Sequence, residues 1–339
     1  MIEKLGLFFD IEKLPGPESG VLFAQGPKVL LFEEFSRVYY SCRRPPENGK
    51  YLSIIQYADF LPDFSKVIAF SESEIVVKPE LGTFDEHGIF PMDVVRVGGE
   101  LWGYSGGWTR RSSVSIDMSI GRLTSRNEGL TFERDGPGPV LTRSVAEPFL
   151  VGDPSVIVLD GLLHMFYIRG TSWTPTLDGV PERTYLIAHR VSLDGRSWVP
   201  APGGNLFPVA PRSDWEAQAM PSVIRVDNTF VMFFSYRDTF GFRDNPENAY
   251  RLGAAFSTDL YEWTRIELDF HDWRGDWDAE MMAYPNVHVR DGSIYVLYNG
   301  NEFGRYGFGG VRFDSNVLLS LAQVRPVGEE KNSRQGPTS

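Results

Sequence analysis

One pattern of apolar and polar positions recurs five times along the chain. A proline opens a short apolar run, a polar turn follows, and an aromatic-rich run returns. The copies start at Pro27, Pro91, Pro154, Pro221 and Pro285, spaced 64, 63, 67 and 64 residues apart. Thirteen residues after each proline stands an aromatic: Tyr40, Tyr104, Tyr167, Phe234 and Tyr298. The turns read Glu33-Glu34, Gly98-Gly99, Asp160-Gly161, Asp227-Asn228 and Asp291-Gly292. Asp-Gly between apolar runs is a hairpin signal, because it supplies the positive φ that such turns need. A third strand-like run follows, as at Tyr185 to Val191 and Gly253 to Phe256. It leads into a polar turn ending in an aromatic: Ser192-Leu-Asp-Gly-Arg-Ser-Trp198, Ser257-Thr-Asp-Leu-Tyr-Glu-Trp263 and Ser125-Arg-Asn-Glu-Gly-Leu-Thr-Phe132. Four strands per repeat, five times over, predict an all-β chain folded as a five-bladed β-propeller with four-stranded blades. The fifth copy lacks its last strand, and the apolar run Lys4 to Phe9 is left over at the start. That run is expected to supply the missing strand and close the ring, removing an exposed edge. One domain over residues 1–325 follows, with a polar tail, 326–339, expected to be disordered.

Composition narrows the function. The chain has 339 residues, 42% hydrophobic and 14% aromatic, enough for a sizeable core. Its net charge of −12 would repel a phosphodiester backbone, so no nucleic-acid partner is expected. No apolar run is long enough to span a membrane as a helix. Cys42 is the single cysteine, which excludes an intrachain disulfide or a cysteine zinc site. The first ten residues lack the pattern of a signal peptide, so a cytoplasmic location is expected.

The chemistry should sit where strands enter and leave the central channel. Five residues before the proline stand Glu86, Glu216 and Glu280; nearby are Asp85, His87, Asp278 and Asp153, the last immediately before Pro154. The second strand ends on the same mouth, which adds Arg43, Arg237 and Asn301. Paired carboxyls can cleave a glycosidic bond, one as acid and one as base or nucleophile. Crowding of anions raises one carboxyl's pKa and so suits it to the acid role. Aromatics border this face, Trp108, Trp173, Trp215, Trp273, Trp277 and Tyr284 among them. Trp108 and Tyr284 are candidates to stack on sugar, whereas Trp198 and Trp263 read as core. Gly103-Tyr-Ser-Gly-Gly107 matches the nucleophile-elbow spacing but lies in a predicted strand, not at a strand–turn–helix junction. The histidines show no metal spacing, and His164 and His288 read as structural. No cofactor is expected, and no all-oxygen cage supports calcium.

Asp153-Pro-Ser-Val-Ile157, with Asp160-Gly and Phe166-Tyr167, resembles the blade opening of glycoside hydrolase family 43. The blade pattern is similar to the five-bladed propellers of families 32, 43, 68, 117 and 130. Gly82-Thr-Phe-Asp-Glu-His-Gly88, Gly107-Trp-Thr-Arg110, Phe234-Ser-Tyr-Arg237, Glu280-Met-Met-Ala-Tyr-Pro285 and Tyr298-Asn-Gly-Asn301 resemble a group of bacterial glycosidase-like propellers tied to surface-polysaccharide genes. The resemblance implies a base or nucleophile at Asp153 and an acid at Glu216. Gln25-Gly26-Pro27 stands where family 43 places its Asp-Pro base. Either the site is shifted around the ring toward Glu86 and Glu280, or the two-carboxylate reaction is absent. Family 117 pairs an aspartate with a histidine acid, a role open to His87.

The expectation is therefore a glycosidase-like enzyme that hydrolyses, phosphorolyses or transfers a glycosidic bond. Glu216, Asp153, Glu86 and Glu280 are its candidate catalytic carboxylates. Arg43, Asp85, His87, Trp108, Arg237, Asp278, Tyr284 and Asn301 would bind the substrate. Two arginines at equivalent blade positions point to a small carbohydrate that is anionic or activated. A non-catalytic carbohydrate-binding or scaffolding propeller is the alternative. A sialidase-like enzyme is a third reading, set against six blades in that group and five copies here.

Overall fold

The computed structural model describes residues 2–13, 21–44, 51–177, 179–203, 205–266, 268, 270, 273–314 and 318. The expected tail lies outside these residues, as does His271. Five four-stranded antiparallel sheets form the ring. Blade one comprises β2 (Leu22–Leu31), β3 (Ser36–Arg43), β4 (Ser53–Phe60) and β5 (Val67–Phe70). Blade two comprises β6 (Ile89–Val97), β7 (Glu100–Arg110), β8 (Ile116–Ser125) and β9 (Glu133–Arg134). Blade three is β10 (Val151–Leu159), β11 (Leu162–Thr174), β12 (Glu182–Ser192) and β13 (Val199–Pro200). Blade four is β14 (Glu216–Val226), β15 (Thr229–Asp238), β16 (Arg251–Ser257) and β17 (Thr264–Ile266). Blade five is β18 (Ala283–Arg290), β19 (Ser293–Asn299) and β20 (Gly307–Asp314), completed by β1 (Ile2–Asp10).

The N-terminal strand closes the ring as the repeat count requires. β1 runs antiparallel along β20, from Ile2 opposite Phe313 to Asp10 opposite Gly307. Phe9 stacks on Phe308 at 4.6 Å, which adds apolar burial to the strand pairing.

The repeat register also has a structural cause. All five aromatics thirteen residues past the proline are buried, on the second strand of each blade. There they fill the wedge between neighbouring sheets. Backbone–side-chain bonds join the innermost strands at an equivalent position. The amides of Val29, Val156 and Val287, each two residues past its proline, donate to a side chain of the preceding blade. Their acceptors are Asn286 Oδ1 (3.0 Å), Asp93 Oδ2 (2.7 Å) and Ser222 Oγ (3.0 Å).

The polar turn before the fourth strand is built the same way in three blades. Ser192 Oγ accepts from the Gly195 amide at 2.8 Å, and Asp194 Oδ1 accepts from the amides of Arg196 and Ser197. Ser257 with Asp259, and Ser125 with Asn127, repeat the arrangement. These side chains stand in for backbone partners, so the motif is a turn former. Trp198 and Trp263 are buried behind two of these turns. Ser105, in the elbow-like sequence, is buried in β7 and donates to the Pro91 carbonyl at 2.9 Å.

One buried histidine gives the fold an acid sensitivity. His288 stacks on Tyr295 at 5.2 Å, and neither ring nitrogen has a hydrogen-bond partner. Burial, helped by Arg290, pushes its pKa down to about 3. An unfolded histidine titrates near ~6.5, so stability is complete above that pH and falls as the pH drops toward 3. His288→Phe removes this slope without losing a hydrogen bond. Urea denaturation at pH 7 and pH 5 should show the variant losing about 2 kcal/mol less than the parent between the two. Equal losses would mean that His288 is already protonated in the fold.

Candidate functional site

The prolines do not open the innermost strands; they lie inside them, at bulges. Each inner strand shifts register there, between Gln25 and Lys28, Ile89 and Met92, Gly152 and Ser155, Ala219 and Ser222, and Ala283 and Asn286. Proline has no N–H for the ladder, and a bulge is where a strand tolerates it. In four blades the preceding residue has positive φ: Gly26, Asp153, Met220 and Tyr284. In the other the Phe90–Pro91 bond is cis. A bulge re-aims its side chain. Here Phe90, Asp153 and Tyr284 are turned into a cavity at one mouth of the channel. The φ of Asp153 is +49°, a conformation that side chains other than those of Asn and Asp adopt with difficulty.

This inner cavity has a volume of about 430 Å³. Asp153 is the only carboxylate among its described lining residues, and it faces Arg43, Arg110 and Arg183. Trp108 and Tyr284 add aromatic faces. An outer cavity of about 530 Å³ adjoins it, lined by Phe242, Met281 and Phe303 and rimmed by Asp244, Glu280 and Glu302. Arg43, Arg183, Tyr185, Tyr250 and Tyr284 line both, so they form the ridge between the two lobes.

Burial pushes the Asp153 pKa up to about 6, against the opposing pull of Lys28, the Met220 amide and Arg183. Met220 N donates to Asp153 Oδ2 at 3.4 Å. Lys28 is buried with no hydrogen-bond partner on Nζ, and burial lowers its pKa against the pull of Asp93 and Asp153. Asp93 is likewise raised by burial, with Lys28 opposing. One lysine and two aspartates thus share the channel wall behind the cavity.

Arg237 supports the ridge from behind. It is 2% exposed and does not line either cavity. Its Nη2 donates to Tyr185 Oη at 3.1 Å and its Nε to Tyr250 Oη at 3.3 Å. The two phenols are themselves 2.7 Å apart, and the guanidinium lies 3.7 Å from the Phe242 ring centre. The expected anion-gripping role of Arg237 is therefore corrected, because its donors are occupied and screened. Arg43 does line both lobes, its guanidinium 4.3 Å above Phe23 and 5.5 Å from Tyr51. No carboxylate among the described residues pairs with Arg43 or Arg183.

The other expected site residues are dispersed. Glu216, the expected acid, is 4% exposed and does not line the cavities. Its Oε1 pairs with Arg265 Nη1 at 2.7 Å and accepts from Gln218 at 2.9 Å. A carboxylate at the first residue of a strand can point outward along the blade, and here a buried arginine on β17 fixes that direction. Asp85 is buried against Arg134 at 2.6 Å. Asp278 accepts from Tyr298 Oη at 2.8 Å and from the Gly275 amide. Asn301 Oδ1 caps the amides of Glu280 and Met281 at 2.9 and 3.1 Å. These three are structural. Glu86 sits half-buried in the loop before β6 and influences Arg110 without lining the cavity. Glu280 is exposed on the outer rim. His87 accepts from the Arg110 amide on Nδ1 at 3.4 Å and lies against Trp108, so it backs the wall. Among the aromatics, Trp273 is core, Trp277 stacks on Tyr298 at 5.1 Å, and Trp215 is exposed beside Phe240.

Arg110, Arg183, Tyr185 and Tyr250 were not anticipated from the sequence. They stand at the end of a second strand or the start of a third. The signal was available, since an antiparallel third strand begins at the mouth where the second ends.

With this geometry in view, the comparisons identify the fold. A solved structure of a BT0996 complex with RGII matches with a TM-score of 0.67 at 16% identity, over 91% of both proteins. The fold is that of the glycoside hydrolase and phosphorylase propellers. Beta-1,2-mannobiose phosphorylase from Listeria innocua matches with a TM-score of 0.65 at 11% identity, over 96% of this chain and 99% of its own. A thermostable family-43 glycoside hydrolase matches at 0.60 and 15%, with the same coverage. No family model matches the chain. Uncharacterized proteins MT1551 and Rv1502, from two strains of Mycobacterium tuberculosis, are each 29% identical over 275 residues, 80% of this chain and 86% of theirs.

Proposed function

We propose that this propeller is an enzyme that cleaves or transfers a glycosidic bond of a small anionic sugar, with Asp153 as its reacting carboxylate. The observation that carries the reading is the inner cavity, where one buried carboxylate faces three arginines. With a pKa near 6, Asp153 is mostly ionised at neutral pH yet more basic than an ordinary aspartate. That suits a base. The attacking oxygen of water or an acceptor bonds to the anomeric carbon and gives its proton to Asp153. The breaking bond's electron pair leaves with the departing oxygen. Arg43, Arg110 and Arg183 hold the anionic group, and Trp108 and Tyr284 offer faces for sugar C–H groups. The fold's neighbours, glycoside hydrolases and a phosphorylase by name, support the same class.

The test is a turnover screen of purified protein against sugar phosphates, uronate glycosides, nucleotide sugars and neutral disaccharides, read by mass spectrometry. Product from an anionic glycoside, absent with Asp153→Asn, is the expected result. Binding of such a sugar without product at any pH from 5 to 8 would leave a carbohydrate-binding propeller.

A further inference from the structure

We infer that the substrate has two lobes joined by a phosphate-type linker: a sugar in the inner cavity, a diphosphate across the ridge, and a flat aromatic group, such as a nucleobase, in the outer cavity. The inference rests on the proposed sugar chemistry at Asp153 and names the substrate class.

Three features of the site lead to it. The first is where the positive charge sits. Arg43 and Arg183 line both lobes, and neither is matched by a carboxylate among the described residues. An anion bound by both would occupy the junction, not the depth of either lobe. Guanidinium groups bind phosphate oxygens through paired N–H donors. The second is the absence of an acid partner for Asp153 among the described lining residues of the inner cavity. Hydrolysis of an ordinary glycoside uses two carboxyls, because an alkoxide leaving group must be protonated. The phenols of Tyr250 and Tyr284 are pushed up by burial and make poor proton donors. A phosphate ester departs as a stable anion and needs no proton, so a single base and an arginine ridge suffice. In that step water attacks the anomeric carbon and gives its proton to Asp153. The bond from the anomeric carbon to the phosphate oxygen breaks, and the diphosphate leaves with the electron pair. The third feature is the outer lobe. Phe303 is half-buried there, edge-on to Phe242 and Tyr250 at 6.1 Å, so its ring is held in place. Asp244 and Glu280 on the rim are placed to accept hydrogen bonds from the hydroxyls of a linking pentose.

Calorimetry on the Asp153→Asn protein, in which turnover is blocked, compares nucleoside 5′-diphosphate sugars with the matching sugar 1-phosphates. At least one nucleotide sugar should bind about tenfold or more tightly than its sugar 1-phosphate, since stacking one base on an aromatic is worth about that much. Phe303→Ala should narrow the gap to less than about threefold. Should Phe303→Ala prove unstable, Phe303→Leu keeps the apolar volume without the π face and should narrow it similarly. Arg183→Gln should weaken both ligands. Sugar 1-phosphates binding as tightly as every nucleotide sugar, or a gap that survives both Phe303 variants, would overturn the inference. Asp153-dependent turnover of a uronate glycoside, with no nucleotide sugar favoured, would overturn it and leave the proposed function standing. Turnover of any substrate by Asp153→Asn would overturn both.

Discussion

Asp153→Asn abolishes turnover, by about 10³-fold or more in kcat/KM, and at the same time raises the melting temperature at pH 8. Loss of a general base removes about 10² to 10⁴ in rate. The amide keeps the size and hydrogen-bond reach of the carboxylate, and asparagine tolerates the positive φ found here. The fold should therefore be undisturbed. Stability moves the other way because of the pKa. Burial lifts Asp153 to about 6, so holding the charged form in the fold is unfavourable above that pH. Relative to an unfolded aspartate, the neutral amide removes a penalty of about 2–3 kcal/mol at pH 8. Below pH 4 both proteins carry a neutral group at this position, and the difference disappears. The parent's kcat/KM should rise with pH through an apparent pKa near 6, as the base ionises. Differential scanning calorimetry at pH 4 and pH 8, with initial rates from pH 5 to 8, gives both readings. A variant that is less stable at pH 8 would place Asp153 among the structural carboxylates.

Glu216→Ala destabilises the protein by about 3–5 kcal/mol, because it leaves the Arg265 guanidinium buried and uncompensated. Arg265 already has two nitrogens, Nε and Nη2, without hydrogen-bond partners, so losing the carboxylate removes its main anionic support. It lies over Phe234 and Tyr236, at 5.1 and 4.7 Å from the ring centres, where water has little access. The paired replacement Glu216→Met with Arg265→Met should recover most of the loss, since buried ion pairs are often matched by apolar residues of similar volume. This separates the structural role from a chemical one. In the double variant the inner cavity keeps Asp153 and its three arginines, so turnover should persist at a temperature where the protein is folded. Chemical denaturation measures the first part and initial rates the second. A well-folded double variant with no activity would restore Glu216 to the reaction.

The contrast between these two carboxylates shows what pattern could and could not reach. Both were picked out by their distance from a blade proline. Asp153 is adjacent to Pro154, and the bulge that accommodates a proline in an inner strand turns its predecessor toward the channel. That consequence is local, so adjacency to the proline carried real information. The same applies to Tyr284. Glu216 stands five residues away, at the first residue of β14, where the side chain's direction depends on its neighbours. Arg265, at a distance of forty-nine residues, drew it into a blade. Glu86, Glu216 and Glu280 share an offset from the proline, but they end up half-buried in a loop, sealed in an ion pair, and exposed on a rim.

Arginine shows the same division. Arg43 and Arg237 occupy equivalent positions at the ends of second strands, and equivalence suggested equal roles. Phe242, Tyr185 and Tyr250 enclose Arg237, whereas Arg43 has Phe23 and Tyr51 on one side and open cavity on the other. The unanticipated Arg183 reaches the ridge from the start of β12.

Hydrophobic periodicity, turn chemistry and a fivefold proline–aromatic register by themselves determined the number of blades, the strands in each and the closure of the ring by β1. Those features arise from contacts within one blade or between adjacent blades, and each repeat carries its own copy of the signal. Which charges face the channel and which are consumed inside the blades was decided only by the tertiary structure. A charge's partner comes from another strand or another blade, and the depth at which it is buried sets both its pKa and its access to a ligand.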